Sequence, residues 1–313
     1  MPSHDAVEYE EVIDISPSKD IKHLVMDMEK ISFGGRKFGE AYYILKEMLA
    51  QGASCKKFLG LAGAIVPGGL RKIVTEMMKK GAVDVIVSTG ANITHDLMLA
   101  MNGKQFRIPS SGIDDIEIRE KGYFRVHDVL SPIADFEKLE EGLSRLIKPI
   151  KDGTYASYEL LAKLGENLDQ ESIVGLATKR HIPIIIPALT DSILGVQIWP
   201  FVQQHKITID PYRDLKYIVD MQFELKAKGN RSGALILGGG VPKNFIFQSA
   251  SVADKPLDYL VQIVADQPEF GGSSGATPEE AKSWGKISER ANTSTVNCDF
   301  TIALPILASA LLA

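Results

Sequence analysis

The segment ATPEEAKSWGKI, residues 276–287, carries three side chains that together can bind and attack a cationic amine. If the segment is helical, Glu280 and Trp284 stand four residues apart and share one face. Gly285 then ends the helix and presents Lys286 from its C-terminal end. A carboxylate pairs with an ammonium group, an indole adds a cation–π contact, and a lysine amine can form an imine. The alternative is a capping glutamate, a core tryptophan and a solvated lysine, and the chemistry alone favours it slightly.

The same region contains a rival motif, a G-x-S-x-G pattern in Gly271–Gly275 with Ser273 at its centre. A hydrolase nucleophile elbow needs this serine at a strand-to-helix turn, followed later in the chain by an acid and a histidine. Every histidine precedes Ser273, the last being His205. The next helix is predicted to start later, with Thr277 as N-cap and Pro278 in the first position. The sequence therefore argues against a serine hydrolase.

The glycine run Gly238–Gly240 is a candidate for close approach of a phosphate or cofactor to the backbone. A tight turn explains it equally well, because Lys243 stands where G-x-G-x-x-G requires its third glycine. Asp191 can hold a ribose hydroxyl, although an Asx-turn or N-cap is the commoner role of a lone aspartate. His95 follows a predicted strand end and is a further candidate, with helix capping as its alternative.

The elements that position these residues are predicted from short Val- and Ile-rich runs that alternate with longer helical patterns. This alternation is typical of a parallel sheet covered by helices on both faces. Predicted strands are Phe58–Ala62, Val83–Ser88, Pro183–Pro187, Ala234–Leu237, Tyr259–Val264 and Thr295–Asn297. Predicted helices are Arg71–Lys80 and most of Phe136–Leu164, interrupted near Pro149 and Gly153, while Phe300–Ala313 is interpreted as a buried strand end and terminal helix.

Ligands of such sheets collect outside the carboxyl ends of the strands. Five predicted strands are followed there by small or acidic residues, namely Ser88–Gly90, Thr190–Asp191, Gly238–Gly240, Ala265–Asp266 and Asp299. No linker or repeat divides the chain, so we expect an N-terminal helical extension over residues 1–50 and one doubly wound domain over residues 51–313.

Composition excludes several classes of protein. The 313 residues include 35 Lys and Arg against 40 Asp and Glu, giving a formal net charge of −5 without a basic stripe for nucleic acid. The two cysteines, Cys55 and Cys298, build neither a disulfide framework nor a zinc site, and no histidine pairing indicates a metal. No secretory signal and no membrane span is predicted, so we expect a cytoplasmic protein.

Over nearly its whole length the sequence resembles the deoxyhypusine synthase family. The matching segments, in order, are VDVIVSTGANITHDL, HIPIIIPALTDSILG, GALILGGGVPKN, GGSSGATPEEAKSWGKI and VNCDFTIALP. The resemblance implies a Rossmann-like α/β subunit, a homotetramer with active sites between paired subunits, and NAD as cofactor. It also implies that spermidine loses a hydride to NAD, that a lysine captures the aminobutyl group as an imine, and that an acceptor amine then displaces the lysine.

The resemblance assigns roles to residues of this chain. Lys286 occupies the position of the imine-forming lysine. Polyamine contacts are implied for Glu280, Trp284, Asn244, Gly272 and Ser273. Cofactor contacts are implied for Thr89, Gly90, Ala91, His95, Asp191, Gly239, Ala265, Asp266, Ser274, Asp299 and Phe300.

The chain departs from the family pattern at acidic and basic positions. Members that modify the translation initiation factor have a histidine where Asn244 stands and commonly an acid where Val196 stands, and their loop near Phe270 contains an aspartate that is missing here. Each lost charge-assisted hydrogen bond is worth about 1.5–3 kcal/mol. Either Glu269 or Asp266 compensates, or the substrate differs.

These departures resemble the branch called deoxyhypusine synthase-like, and three hypotheses stay open. The first is aminobutyl transfer from spermidine to a protein lysine, with a lysine-bearing translation initiation factor as partner. The second is homospermidine synthase-type transfer to putrescine or another free amine. The third is an inactive protein that binds NAD or polyamine.

Overall fold

A six-stranded parallel sheet forms the centre of the computed structural model, which describes residues 11–18, 20–108 and 114–313. The strands are β1 (Cys55–Leu61), β2 (Val85–Ser88), β3 (Phe106–Arg107), β4 (Tyr123–Val126), β5 (Val129–Pro132), β6 (Gly153–Tyr155), β7 (Ile184–Ile185), β8 (Ile207–Ile209), β9 (Arg231–Leu237), β10 (Leu257–Val264) and β11 (Ile287–Asn297). The helices are α1 (Ile21–Asp27), α2 (Phe33–Ala50), α3 (Arg71–Lys79), α4 (Gly90–Ala100), α5 (Asp115–Glu120), α6 (Ile133–Ile147), α7 (Ser157–Gly165), α8 (Ile173–Arg180), α9 (Ile193–Gln204), α10 (Pro211–Lys228), α11 (Gly240–Val252), α12 (Pro278–Ser283) and α13 (Phe300–Leu312).

The strand order of the main sheet is β11-β10-β9-β1-β2-β7, and every pair is parallel. The order runs outward in both directions from the centre and reverses between β1 and β9. That is the doubly wound Rossmann arrangement, in which the ligand crevice lies at the reversal point. The predicted α/β fold class is confirmed.

Both faces of the sheet are buried, which explains the continuous apolar runs in its strands. On β1, Phe58 belongs to the apolar cluster that contains Ile246 of α11, whereas Leu59 belongs to the cluster that contains Met48 of α2. The alternation follows from the period of two along a strand. Helices α10 and α11 therefore cover one face, and α2 and α13 cover the other.

Three predictions for individual elements were wrong or incomplete. The helical stretch predicted over Phe136–Leu164 is divided between α6 and α7 by the short strand β6, which pairs with β8. Phe300–Leu312 is entirely helical, so the predicted strand end at Phe300 does not exist. The predicted last strand, Thr295–Asn297, is only the end of β11, which begins at Ile287.

The N-terminal helix α2 packs across β10 and β11 and buries Phe38, Tyr42, Leu45 and Met48. Its Glu47 accepts hydrogen bonds from the Tyr259 hydroxyl on β10 and from Asn292 Nδ2 on β11, at 2.9 Å each. The division into an extension over residues 1–50 and a domain over residues 51–313 stays a prediction. Within the described part of the chain, the helices are all too short or too polar to cross a membrane.

Candidate active site

The carboxyl ends of the central strands form one continuous edge, because the residue after each strand bonds to the neighbouring strand. The backbone bonds are Thr89 N to Leu61 O (3.1 Å), Ala62 N to Leu237 O (3.0 Å), Gly238 N to Ile263 O (2.8 Å) and Cys298 N to Val264 O (3.2 Å). The small and acidic residues predicted to follow these strands therefore lie in one row, as the position of ligand crevices requires.

At the reversal point between β1 and β9 the two loops touch through glycines. A Cβ built on Gly238, whose φ is +80°, would lie 3.2 Å from the backbone nitrogen of Gly63. A Cβ on Gly63 would lie 2.3 Å from the ring of Phe300, the first residue of α13. The close packing of these two loops and of Phe300 therefore requires glycine at both positions. Gly63 was not among the predicted residues, although two small residues, Gly63 and Ala64, directly follow the first predicted strand.

The loop after β9 is locked to the loop that precedes α12. Gly239 packs so closely on Ser274 that a Cβ would lie 2.4 Å from its Cα, and Gly240 N donates to Ser274 Oγ at 3.1 Å. The buried side chain of Gln262 on β10 donates through Nε2 to the carbonyl oxygens of Gly238 (2.8 Å) and Ser274 (2.7 Å). The structure therefore brings two predicted cofactor residues, Gly239 and Ser274, into direct contact.

A second pair of loops meets beside β2. Thr89 is the N-cap residue of α4, and a Cβ on Gly90 would lie 2.2 Å from Ser192 Oγ. Ser192 caps α9 by accepting a hydrogen bond from Gly195 N at 3.1 Å. Asp191 precedes this cap and is exposed, so it lies beside the start of α4. Thr89, Gly90 and Asp191 are thus neighbours along the edge.

Asn92 ties the loops after β1 and β2 together and was not among the predicted residues. It is fully buried, donates through Nδ2 to Gly63 O (2.8 Å) and Thr89 Oγ1 (3.2 Å), and accepts from Val66 N (3.1 Å). Its role could not be inferred from its type, because a lone asparagine in a helix has no distinctive signal.

His95 lies further along α4, where it is buried against other elements. Its Nδ1 is 3.1 Å from Gln105 Nε2, and its ring packs edge-on against Phe136 of α6 at 5.8 Å between centres. Burial lowers the pKa of His95 to about 4, so the imidazole is neutral at physiological pH. His95 thus packs against α6, and Gln105 is its hydrogen-bonding partner.

The remaining predicted cofactor and loop residues follow β10 and β11. Asp299 caps α13 by accepting from Thr301 N at 2.6 Å and from Thr301 Oγ1 at 2.5 Å, as lone aspartates often do. Ala265, Asp266, Gly272 and Ser273 are exposed loop residues, whereas Ala91 is exposed in the first turn of α4. Ser273 lies in a turn away from any strand end, and α12 begins only at Pro278, so the hydrolase alternative lacks its elbow.

The predicted start and end of α12 are both observed. Thr277 Oγ1 accepts from Glu280 N at 3.2 Å, and Pro278 occupies the first helical position. At the other end Gly285 has φ +63°, and Lys286 N bonds to Ala281 O at 3.0 Å while Gly285 N bonds to Lys282 O at 2.9 Å. These two bonds form a Schellman motif, which fixes the position of Lys286 directly after the helix.

Lys286 lies close to Trp284, which is the C-cap residue of α12. Lys286 Nζ lies 5.3 Å from the centre of the Trp284 ring, within cation–π range, and the indole is 65% exposed. The Lys286 backbone, however, bonds to Leu257 at the start of β10 (3.1 Å), whereas the predicted cofactor residues lie at the opposite ends of the strands. Helix α12 connects the predicted cofactor residues with Lys286. Ala276 and Thr277 at its start lie next to Ser274, and Lys286 follows its end.

Lys243, in the first turn of α11, connects the two groups of residues and was missed as a site residue. It is only 3% exposed, and Nζ donates to the carbonyl oxygens of Ala276 (2.6 Å) and Ser274 (3.3 Å). Burial lowers the pKa of Lys243 to about 8. The carboxylate of Glu280 acts in the opposite direction, and the charge of Lys286 adds to the lowering.

The positions that depart from the family pattern are open to solvent. Asn244 follows Lys243 on α11 and is exposed, Val196 is 64% exposed on α9, and Phe270 is 75% exposed. Two exposed carboxylates, Asp266 and Glu269, lie in the same loop as Phe270. The chain therefore carries acidic groups near this loop, although not at the family's own positions.

Sequence comparisons give one consistent result. The family model for deoxyhypusine synthase matches residues 23–311. A protein of Archaeoglobus fulgidus named "Probable deoxyhypusine synthase 1" is 41% identical over 282 residues, which cover 90% of each chain. A protein of the same name from Methanosarcina acetivorans is 38% identical over 297 residues, or 95% of this chain and 92% of the relative.

A solved structure has the same fold. The crystal structure titled as a "putative deoxyhypusine synthase" from Entamoeba histolytica superposes with a TM-score of 0.61 and covers 93% of this chain and 92% of its own. Its sequence identity is 21%, so the likeness concerns the fold alone.

Proposed function

The chain belongs to the deoxyhypusine synthase family, and on that premise we propose that it transfers an aminobutyl group from spermidine to an acceptor amine through an imine on Lys286. Membership of the family makes the chain a transferase of aminobutyl groups. The observation that carries the proposal is the contact of Lys286 Nζ with the Trp284 ring at 5.3 Å, at the end of a helix that begins beside Glu280.

The three side chains have distinct tasks in this proposal. The indole of Trp284 attracts the cationic chain of the polyamine, and the carboxylate of Glu280 pairs with one of its ammonium groups. After the donor has lost a hydride from its aminobutyl carbon, the amine of Lys286 forms a C=N bond with that carbon, and 1,3-diaminopropane leaves with the donor nitrogen. The acceptor amine then replaces the lysine nitrogen, which restores the free lysine.

NAD is the proposed cofactor, and the strand-end residues fit it. When bound, NAD takes up the hydride of the donor and returns it to the product. The half-buried Gly63 and Gly238 carry no side chain that would separate their backbone from a diphosphate. The start of α4 offers backbone amides through Gly90 and Ala91, and the carboxylate of Asp191 suits a ribose hydroxyl.

A protein lysine is the proposed acceptor, on a translation initiation factor that bears it. An exposed Trp284 and an exposed Glu280 can be reached by a side chain that projects from another protein's surface. Asn244 and Val196 stand where members that modify the initiation factor have a histidine and commonly an acid, and this departure supports the alternative acceptor, putrescine. The acceptor assay below distinguishes the two.

The proposal includes a homotetramer in the cytoplasm. Ile193, Val196 and Trp199 lie on one face of α9 and are 43%, 64% and 61% exposed, which is typical of a surface that a second copy covers. Light scattering after size-exclusion chromatography measures the mass, and a monomer at micromolar concentration would refute this part of the proposal.

The central experiment traps the imine. The protein is incubated with spermidine and NAD, reduced with borohydride, digested and analysed by mass spectrometry. We expect a mass increase on Lys286 that depends on NAD and is lost in Lys286→Arg. Lys282→Arg, in the same helix, is the matched control and should still give the adduct. An adduct on another lysine, or none with any common polyamine, would refute the role of Lys286.

The acceptor is identified in the same reaction mixture without borohydride. Either putrescine or the lysine-bearing initiation factor is supplied as the second substrate. Labelled spermidine should transfer its aminobutyl group to the factor; transfer to putrescine alone would make homospermidine formation the activity. Thermal stabilisation by NAD and spermidine without turnover would instead indicate an inactive binding protein.

A further inference from the structure

A cavity of about 280 Å³ lies beside the edge strand β7. Its wall is formed by the end of β7, by α9, by β8 and by the first turns of α7 and α10. Most of the lining side chains are apolar, among them Leu189, Ile198 and Val202, whereas neither Asp191 nor Lys286 lines it. Because a water molecule occupies about 30 Å³ in the liquid, the space suits a ligand of about nine non-hydrogen atoms.

The inner end of the cavity carries the carboxylate of Asp214, which lies in the first turn of α10 and is 1% exposed. The carboxylate accepts hydrogen bonds from Ser157 N and Ser157 Oγ at 3.0 Å each and from Tyr158 N at 3.4 Å. Ser157 Oγ in turn accepts a hydrogen bond from Ile186 N at 2.8 Å, where β7 ends. Asp214 is therefore held firmly at the junction of α7, α10 and the main sheet.

The charge of Asp214 is not balanced by the described part of the protein, in which its carboxylate forms no ion pair. The neighbouring Arg213 is turned away and binds Glu159, with 2.9 Å between Nη2 and Oε1. Burial raises the pKa of Asp214 to about 6, its hydrogen bonds act in the opposite direction, and the charge of Glu159 adds to the rise. Buried carboxylates are normally paired, and a neutral side chain could accept the same bonds. An unbalanced charge beside an apolar space is thus the property to be explained.

An ammonium group on an apolar body complements this arrangement. The ammonium supplies the missing positive charge at Asp214, and the hydrocarbon body fills the space between Ile198 and Val202. An anionic ligand would be repelled by the carboxylate. A second ammonium group on the same ligand would be buried among apolar side chains without a partner, so the cavity discriminates against polyamines.

The cavity can be entered from the side of β8. Thr208 and Pro211 line it and are exposed, and they lie off the face of α9 that is proposed to contact a second copy. Trp199 of α9 also lines the cavity, which places an indole where it can report on a ligand.

We propose that this cavity is a second ligand site, which binds a primary amine with an apolar body of about eight carbon atoms through the carboxylate of Asp214. The inference does not depend on the proposed function, because Lys286, Trp284 and the residues at the strand ends take no part in it.

The test titrates the protein with phenethylamine and, separately, with 2-phenylethanol, which has the same carbon skeleton without the charge. The chain has two tryptophans, so Trp199 is the sole indole fluorophore in Trp284→Phe. We expect phenethylamine to change the emission of Trp199 in a saturable manner and 2-phenylethanol to bind about tenfold more weakly, because it lacks the charge-assisted bond. Equal binding of the two compounds, or constant emission with both, would overturn the proposal.

Variants locate the bound amine. Asp214→Asn removes the charge and keeps the shape, so the affinity for phenethylamine should fall about tenfold. Val202→Phe fills the cavity and should abolish binding, whereas Asp220→Asn, an exposed position on the same helix, is the matched control and should change nothing. Unchanged affinity in Asp214→Asn or in Val202→Phe would overturn the proposal. So would loss of binding in Glu280→Gln alone, which would assign the amine to the proposed polyamine site.

A measurement on the unmutated protein covers the case in which a variant does not fold. Crystals of the full chain are soaked with 4-bromophenethylamine, and the anomalous scattering of bromine locates the ligand. We expect the bromine between Ile198 and Val202, with the amine nitrogen within hydrogen-bonding distance of the Asp214 carboxylate. Bromine at another site only, or none at a concentration that saturates the fluorescence change, would overturn the proposal.

Discussion

Gly239 and Ser274 are in such close contact that no side chain fits between them: a Cβ on Gly239 would lie 2.4 Å from Ser274 Cα and 2.8 Å from Ser274 Cβ. The contact joins the loop after β9 to the loop that leads to α12. The placement of the predicted cofactor residues and of α12 therefore depends on the absence of a Cβ at Gly239.

Gly239→Ala should force these two loops apart. We expect a loss of about 1–3 kcal/mol in the free energy of unfolding, as overpacking usually causes, and weaker stabilisation by NAD in a thermal-shift titration. Gly34→Ala is the control, because a Cβ there has nothing within 4 Å and the position is helical. Its free energy of unfolding should be unchanged or slightly higher than that of the wild type. Wild-type stability together with wild-type NAD binding in Gly239→Ala would contradict the role of the contact.

Trp284 should contribute to polyamine binding through its ring. An exposed cation–π contact is worth about 0.5–1 kcal/mol, so Trp284→Leu should raise KM for spermidine about two- to fivefold. Tyr212→Leu, which removes another exposed aromatic residue, is the control. Since the chain has only two tryptophans, Trp199→Phe leaves Trp284 as the sole indole fluorophore. Its emission should change on addition of spermidine, and constant emission at saturating substrate would contradict the contact.

His95 should make the protein sensitive to acid. Burial lowers its pKa from 6.5 to about 4, so the unfolded state binds a proton at a higher pH than the folded state does. The stabilisation is complete above pH 6.5 and is lost as the pH falls towards 4, by about 3 kcal/mol. Urea unfolding of His95→Gln should show a smaller loss over this range. The exposed His205→Gln should behave like wild type, and an unaltered slope in His95→Gln would count against the burial of the neutral ring.

Asp214 should give stability the opposite pH dependence, because its contribution is lost as the pH rises. Burial raises its pKa from 3.8 to about 6 although it accepts bonds from Ser157 N and Oγ, at 3.0 Å each. The folded state therefore binds the extra proton, and the contribution of Asp214 to stability, about 3 kcal/mol, is lost as the pH rises from 3.8 to 6. Relative to wild type, Asp214→Asn should gain stability between pH 4 and 7. The exposed Asp152→Asn serves as control, and a pH-independent difference would refute the prediction.

The sheet could be predicted largely because its strands are buried on both faces and therefore form uninterrupted apolar runs. The first half of β11 was not predicted, because Glu289 and Arg290 on this edge strand are exposed and polar and therefore interrupt the apolar run. Strand β6, with Gly153 at its start, pairs with β8 and is too short to leave a periodic pattern.

In the candidate site, the local structure around each residue could be predicted from the sequence, whereas contacts between residues distant in sequence could not. Thr277 and Gly285 have strong local preferences, so the two ends of α12 followed from the sequence. Lys243 was interpreted as an interruption of a glycine motif, because its carbonyl partners lie more than 30 residues away in sequence. The separation of Lys286 from the strand ends likewise depends on how α12 runs, which no local pattern encodes.

Gly285 should be required for the placement of Lys286 rather than for stability in general. Its φ of +63° is costly for a residue with a Cβ, and since nothing lies within 4 Å the cost of Gly285→Ala, about 1 kcal/mol, is conformational. Gly229 ends α10 with the same geometry, φ +66° and open space, so Gly229→Ala should lose equal stability. Only Gly285→Ala should slow formation of the borohydride-trapped adduct on Lys286 several-fold, and Gly285→Asn should recover most of it, because asparagine tolerates the left-handed conformation. Equal slowing in both alanine variants would show that global stability, and not the turn before Lys286, controls the reaction.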